Sequence, residues 1–155
     1  MNDREIPLAG ETGWKFVPDE LDAVLSNIGH NALLEHRYHA HGPDWIELAM
    51  PWQDGLAGGG AIGTIASGPI IALMDNAAGT AVWLKRGGYL PQVTIDLRVD
   101  HLRPPIRNAM LISRCECYRM SPTVAFARGI AYETSADDPA CHVTAAFMLL
   151  EGEGL

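Results

Sequence analysis

The sequence predicts an α+β domain in which a curved antiparallel sheet wraps around one long central helix. Three observations carry this expectation. Residues 69–86 are apolar in nearly every direction around a helical axis, so that helix must be covered on most sides. Directly after it, Val93, Ile95, Leu97 and Val99 alternate with Thr94, Asp96, Arg98 and Asp100, the period of a strand with one apolar face. Three more strand-like runs then follow with short joints, for which an antiparallel meander is the simplest path.

The chain of 155 residues, 48% hydrophobic, fits one domain over residues 1–155 with its own core. Residues 1–17 carry no period and read as a tail or peripheral segment. Pro18-Asp19-Glu20 opens a short helix with carboxylates near its positive end, and Leu21, Val24, Leu25 and Ile28 sit at helical spacing. That helix is expected to pack on an edge. Residues 32–41 alternate loosely, and residues 44–50 read as a strand ended by Pro51. The loop over residues 53–63 is dense in glycine, which permits close backbone approach.

For the central helix, Ser67 or Gly68 serves as N-cap and Pro69 suits the first helical position. Lys85 and Arg86 occupy the last turn, and Gly87-Gly88 supplies the stop. Pro104-Pro105 ends the strand that follows. Residues 109–120, 123–133 and 141–151 complete the pattern, joined by Ser121-Pro122 and residues 135–139. No internal repeat or low-complexity segment competes with this reading.

A net charge of −8 argues against nucleic acid or an anionic membrane surface as a general partner. Cys115, Cys117 and Cys141 lack CxxC spacing, so neither a disulfide framework nor a zinc site is suggested, and a reducing cytoplasm is the expected home. No signal peptide is read at the N-terminus, and Asp75 with Asn76 interrupts the longest membrane-span candidate. Between Arg98 and Arg128 lie Arg98, Arg103, Arg107, Arg114, Arg119 and Arg128 against only Asp100 and Glu116. Such a cluster suits a phosphorylated ligand, or is a chance run of surface arginines; charge alone does not choose.

Asp75 is the chemical anomaly. Its helical neighbours Gly68, Ile71, Ala72, Ala78, Gly79 and Val82 include no cation. A poorly solvated carboxylate there should gain basicity, as a general base or nucleophile requires. The bland alternatives are a partner outside the helix, or a solvent-facing position at a thin place in the wrap. The helix start at Ser67-Gly68-Pro69 presents unpaired N–H groups suited to a developing oxyanion, although an ordinary cap looks the same. Asp75 lies about two turns further on, so one cleft can reach both if a facing subunit supplies one of them.

Other patterns carry less. Gly58-Gly59-Gly60-Ala61-Ile62-Gly63 matches GxGxxG, but no alternating strand and helix units follow, so a dinucleotide site is rejected. His36, His39 and His41 lack companion ligands at metal spacing and fit a partly exposed strand better. No G-x-S-x-G elbow is present. Trp14, Trp45, Trp52 and Trp83 suit core packing better than an aromatic pocket.

From about Gly60 to Leu150 the chain resembles the acyl-CoA thioesterases of the hotdog superfamily, in the branch similar to PaaI and thioesterase superfamily member 2. The resemblance is carried by Gly63-Thr64-Ile65-Ala66-Ser67-Gly68-Pro69, Leu73-Met74-Asp75-Asn76-Ala77-Ala78-Gly79, Thr94-Ile95-Asp96-Leu97 and Leu102-Arg103-Pro104-Pro105. It implies that Asp75 acts as general base or nucleophile toward the thioester, with Thr94 beside it orienting water. In the family a His-Gly-Gly precedes the helix, and the first Gly N–H polarises the carbonyl. Here Ala66-Ser67-Gly68 stands in its place, and Ser67 keeps the role if its backbone angles tolerate a Cβ. The Asn that relatives place ahead of that motif falls near Gly60 here.

By the same resemblance, Asn76, Arg103, Pro104 and Arg119 fall among the substrate-binding positions, with the arginines toward the CoA phosphates. No cofactor or metal is implied beyond the CoA of the substrate. The implied assembly is a homodimer, or a dimer of dimers. Two other functions fit the same fold: a hotdog enoyl-CoA hydratase or dehydratase, and a non-catalytic acyl-CoA-binding protein.

Overall fold

The computed structural model describes residues 15–59 and 63–150. After a 3-10 turn at Pro18–Glu20 come two short helices, α1 (Leu21–Asn27) and α2 (Gly29–Leu33), then strands β1 (Arg37–His41) and β2 (Trp45–Met50). The long helix α3 (Ser67–Arg86) follows, and then β3 (Gln92–His101), β4 (Leu111–Met120), β5 (Val124–Tyr132) and β6 (Cys141–Leu149). All strand pairings are antiparallel, in one sheet ordered β1-β2-β4-β5-β6-β3. A single helix on one face of this sheet is the hotdog architecture.

The path differs from a plain four-strand meander in one respect. β4, β5 and β6 do follow one another, but β3 pairs with β6 rather than with β4. The other side of β4 is already taken by β2, so α3 carries the chain across the sheet and delivers β3 to the far edge. β1 and β3 are therefore the two edges.

Helix α3 starts two residues earlier than its sequence suggests. Ala66, extended at φ −62° and ψ 154°, is the N-cap and offers no side-chain cap bond. Ser67 and Gly68 thus become the first two helical residues and Pro69 the third. At the other end Gly87 adopts φ +70° and its N–H closes the helix onto Trp83 and Leu84 carbonyls, as the Gly87-Gly88 stop implies. The loop before the helix folds back on itself, with Gly58 N–H donating to Thr64 O at 2.7 Å and Ala66 N–H to Leu56 O at 2.8 Å. Gly63, at φ +57°, makes the turn that this return needs.

The floor under α3 is built from small side chains. Ala77, Ala78 and Ala81 of the helix and Ala125, Ala127, Ala131 and Ala145 of the sheet all belong to the core cluster and are 0–5% exposed. Ile46, Leu48, Met50, Leu73, Met74, Val82 and Leu111 fill the spaces around them. Phe16, Leu21 and Leu25 join this core from the N-terminal segment, and Tyr38 N–H donates to Asp22 Oδ1 at 2.6 Å, tying α1 to the edge strand β1. The wrap is incomplete over the first half of α3: Ser67, Gly68 and Ile71 are exposed, and Asp75 and Asn76 are half-buried.

β3 departs from a regular alternation. Its register with β6 shifts between Thr94 and Asp96. Leu97 and Val99 pack on the core, whereas Val93 and Ile95 are 48% and 51% exposed, so the four residues do not share one apolar face. A bulge adds one residue on one strand and reverses the facing of what precedes it. Here the reversal turns Thr94 toward the helix.

Candidate active site

The bulge and the helix converge on one contact: Thr94 Oγ1 donates to Asp75 Oδ1 at 2.9 Å. Sequence reasoning assigned both residues to the site, and the structure brings them together. One turn further along α3 is a second link between the same two elements, where Gln92 Nε2 donates to Gly79 O at 2.8 Å. Gly79 permits this approach, since a Cβ there would lie 3.0 Å from Gln92 Nε2 and 3.4 Å from the Phe147 ring. Asp75 has no salt-bridge partner among the described residues, and Thr94 is its only side-chain partner among them. Both bland features are present: a partner outside the helix, Thr94, although no cation among the described residues, and a half-buried position at a thin place in the wrap.

At the helix start, the backbone N–H groups of Ser67 and Gly68 donate to no described residue, and both residues are exposed. Pro69 has no N–H and the Ile70 N–H is the first with an intrahelical acceptor, the Ala66 carbonyl, so the free donors of the first turn are those of Ser67 and Gly68. Ser67 has helical backbone angles, which tolerate its Cβ. A Cβ on Gly68 would meet nothing within 4 Å, so the space above these donors is open. Over Gly63 lies the Arg107 guanidinium, with its Cζ 3.4 Å from where a Cβ would sit. Gly60, Ala61 and Ile62, which complete the GxGxxG match and include the position of the family's Asn, lie outside the described residues, as does Trp14.

The other predicted binding residues are distributed unequally. Asn76 spends its amide on His36, with Nδ2 3.1 Å from the ring Nδ1. Arg103 is fully committed: Nε donates to Asp138 Oδ1 (3.3 Å), Nη1 to Pro104 O (3.3 Å) and Glu133 Oε1 (3.2 Å), and Nη2 to Glu133 Oε2 (2.7 Å) and Asp138 O (2.7 Å). These are all five guanidinium donors. The Glu133 side chain is 1% exposed and also accepts the Ile106 N–H at 2.8 Å, so Arg103 clamps the segment after β3 to the β5–β6 connection. These bonds occupy the donors that the resemblance implies for a phosphate. Pro104 is exposed, and its carbonyl is part of the clamp. Arg119 is exposed at the end of β4 and has no ion pair among the described residues.

Gln92 had no clear signal in the sequence, and His36, read there as part of a partly exposed strand, is instead buried just ahead of β1. Gln92 is a polar residue in an apolar run, and only its pairing with Gly79 reveals its position. His36 is 4% exposed, and burial, followed by the charge of His30, lowers its pKa to about 4, so it is neutral at ordinary pH. The cysteines offer no nucleophile. Burial pushes the Cys115 thiol up to about 12 and that of Cys141 to about 11.

Residues 62–137 match the family model described as the thioesterase superfamily. A solved protein from Pseudomonas aeruginosa is 29% identical over 85% of this chain and 98% of its own, with a TM-score of 0.75. A thioesterase from Haemophilus influenzae is 19% identical, covering 91% of this chain and 96% of its own at a TM-score of 0.75. The PaaI protein of the Escherichia coli phenylacetic acid degradation operon is 13% identical, covering 86% and 93% at a TM-score of 0.72. The last two likenesses concern the fold. No curated protein matches the chain. Fold and matched segment together define a hotdog protein. Over residues 62–137 its sequence is similar to the thioesterase superfamily.

Proposed function

We propose that this protein hydrolyses acyl-CoA thioesters to the free acid and CoA, with Asp75 as the carboxylate of the reaction. The superfamily match supports thioester cleavage in general; the substrate and the residue roles are our reading. The single observation that carries it is the Asp75–Thr94 contact, a half-buried carboxylate with one oxygen held by a hydroxyl and no cation beside it. Thr94 fixes Oδ1, which leaves Oδ2 to take a proton from water as the water adds to the thioester carbon, or to attack that carbon itself. The carbonyl oxygen then gains negative charge, and the free N–H groups of Ser67 and Gly68 are suited to receive it. Collapse of the tetrahedral intermediate expels the CoA thiolate; on the water route this gives the acid directly, and on the attack route it leaves an acyl–Asp75 anhydride that water cleaves to release the acid and restore the carboxylate.

The helix sets a condition on this scheme. Ser67 and Asp75 are separated by about 12 Å of helix rise, whereas an oxyanion donor and a base acting on one carbonyl lie about 6–7 Å apart. One chain does not span the reaction, so the N–H groups come from a second copy. β3 supports such a pairing, because it is a long edge strand with an unpaired backbone and exposed Val93 and Ile95. A homodimer is therefore part of the proposal, with a dimer of dimers as an extension. The exposed Arg119 and Arg107 are the guanidinium groups we assign to the CoA phosphates.

The test is CoA release from short, medium and aromatic acyl-CoAs by wild type and Asp75→Asn. Release by wild type with a loss of at least about a hundredfold in the variant is expected. Equal rates would remove Asp75 from the mechanism. Tight binding without release would make the protein a carrier, and an absorbance change on enoyl-CoA without release would make it a hydratase.

A further inference from the structure

We infer that Gln92 is a positioning residue: its hydrogen bond to the Gly79 carbonyl sets the height of β3 over α3 and so holds Thr94 on Asp75. The inference rests on the role proposed for Asp75 and adds a residue that neither the sequence motifs nor the superfamily match assigns. Gln92 and Thr94 are two residues apart on β3, about 7 Å, and Asp75 and Gly79 are one turn apart on α3, about 6 Å. The two hydrogen bonds, 2.8 and 2.9 Å, are thus matched rungs between the same strand and helix. Because β3 is an edge strand, it has a neighbour only at β6, and nothing on its other side within the chain fixes its height. Trp83 Nε1 and Arg86 Nη1 of α3 hold the Leu90 and Pro91 carbonyls just ahead of the strand, at 2.8 and 3.3 Å. The bulge lies immediately beyond Thr94, so the two rungs carry the tie from there into β3 itself.

The first rung is not explained by stability. An interior helix carbonyl already accepts the N–H four residues on, so Gly79 O gains an extra donor that it does not need. Meanwhile Gln92 Oε1 is buried with no partner among the described residues, an arrangement that costs stability. Gly79 is also required, since a Cβ at 3.0 Å from Gln92 Nε2 would push the amide away. A destabilising amide and a side-chain-free position thus meet one turn from the reacting carboxylate.

The experiment compares kcat, KM and Tm for Gln92→Met, Thr94→Val and the double variant, with Asp75→Asn alongside. Methionine keeps the bulk and removes both the donor and the orphaned acceptor. The expected result is a kcat lowered about tenfold with KM within about twofold, and a Tm equal to or above that of wild type. In the Thr94→Val background, Gln92→Met should have no further effect, because its action passes through Thr94. An unchanged kcat, a Tm that falls with kcat, or a full tenfold loss persisting in the Thr94→Val background would each overturn the inference. Gln92→Glu provides a second measurement. Its carboxylate cannot donate to the Gly79 carbonyl but its acid form can, so the ratio of its kcat to that of wild type should fall as pH rises. A flat ratio would count against the rung. Loss in Asp75→Asn without loss in Gln92→Met defeats this inference alone, whereas equal rates for Asp75→Asn and wild type defeat the reading of the site.

Discussion

The Thr94 hydroxyl reaches Asp75 Oδ1 at 2.9 Å from a strand that would point it away were its alternation unbroken. The contact joins a sheet edge to a helix, and the reaction scheme depends on it. Thr94→Ser keeps the donor and should keep kcat within a fewfold of wild type. Thr94→Val keeps the shape and loses the donor, and should lower kcat by about tenfold to a hundredfold. Steady-state kinetics on one acyl-CoA decide it; Val equal to Ser would show that the hydroxyl does no chemistry.

Because the donors at Ser67 and the carboxylate at Asp75 are too far apart along one helix, activity should require two chains. Ile95→Lys puts a charge on the exposed β3 edge and should shift the protein toward monomer in light-scattering chromatography while the circular dichroism spectrum is retained. CoA release should fall with the dimer fraction. A fully active monomer would contradict the proposed arrangement.

Arg103 should matter for stability more than for substrate. Arg103→Ala strands the buried Glu133 carboxylate and is expected to cost about 3 kcal/mol in urea denaturation, with KM for acyl-CoA little changed. Restoring part of that loss with Glu133→Gln in the same chain would locate the cost in the unpaired charge. Arg119→Ala, by contrast, should raise KM and leave the denaturation midpoint within about 0.5 kcal/mol of wild type.

Acid should weaken the fold through His36. Its pKa is about 4 in the folded protein, below its unfolded value of 6.5. Above pH 6.5 both states are neutral there and stability is unaffected. Below it the unfolded chain takes up a proton that the folded one resists, so stability falls as pH drops from 6.5 toward 4, by about 3 kcal/mol in full. His36→Gln keeps an amide for Asn76 and removes the titration. The difference between its urea curves at pH 7.5 and 5 should be smaller than that of wild type by about 2 kcal/mol. Equal pH dependence in the two proteins would exclude His36 as the source.

The central helix and its stop at Gly87 were legible because they follow from local periodicity and capping residues, whereas the nearness of Thr94 to Asp75 came only from the resemblance to the family. Strand order was not legible. Whether β3 lies beside β4 or β6 depends on which edge β2 has already taken, and that competition leaves no trace in either strand. The facing of Val93 and Ile95 was misread for a related reason, since a period of two in sequence survives a bulge while the side chains do not keep their side. Arg103 looked like a ligand for phosphate until Glu133 and Asp138, some thirty residues away, were seen to occupy every donor it has. Gln92 gave no signal at all, because its partner is a backbone carbonyl and so has no residue type.

The alanine floor beneath α3 has a consequence for how the protein can diverge. Ala77, Ala78 and Ala81 share one core cluster with Ala125, Ala127, Ala131 and Ala145, and at these seven positions there is almost no side-chain bulk to trade away while a larger residue would overpack the core. Descendants of this chain cannot acquire new acyl preferences by carving or filling its middle. Their freedom lies at the open margin beside β3, where Ile71, Val93 and Ile95 can be exchanged without disturbing the seat of the helix.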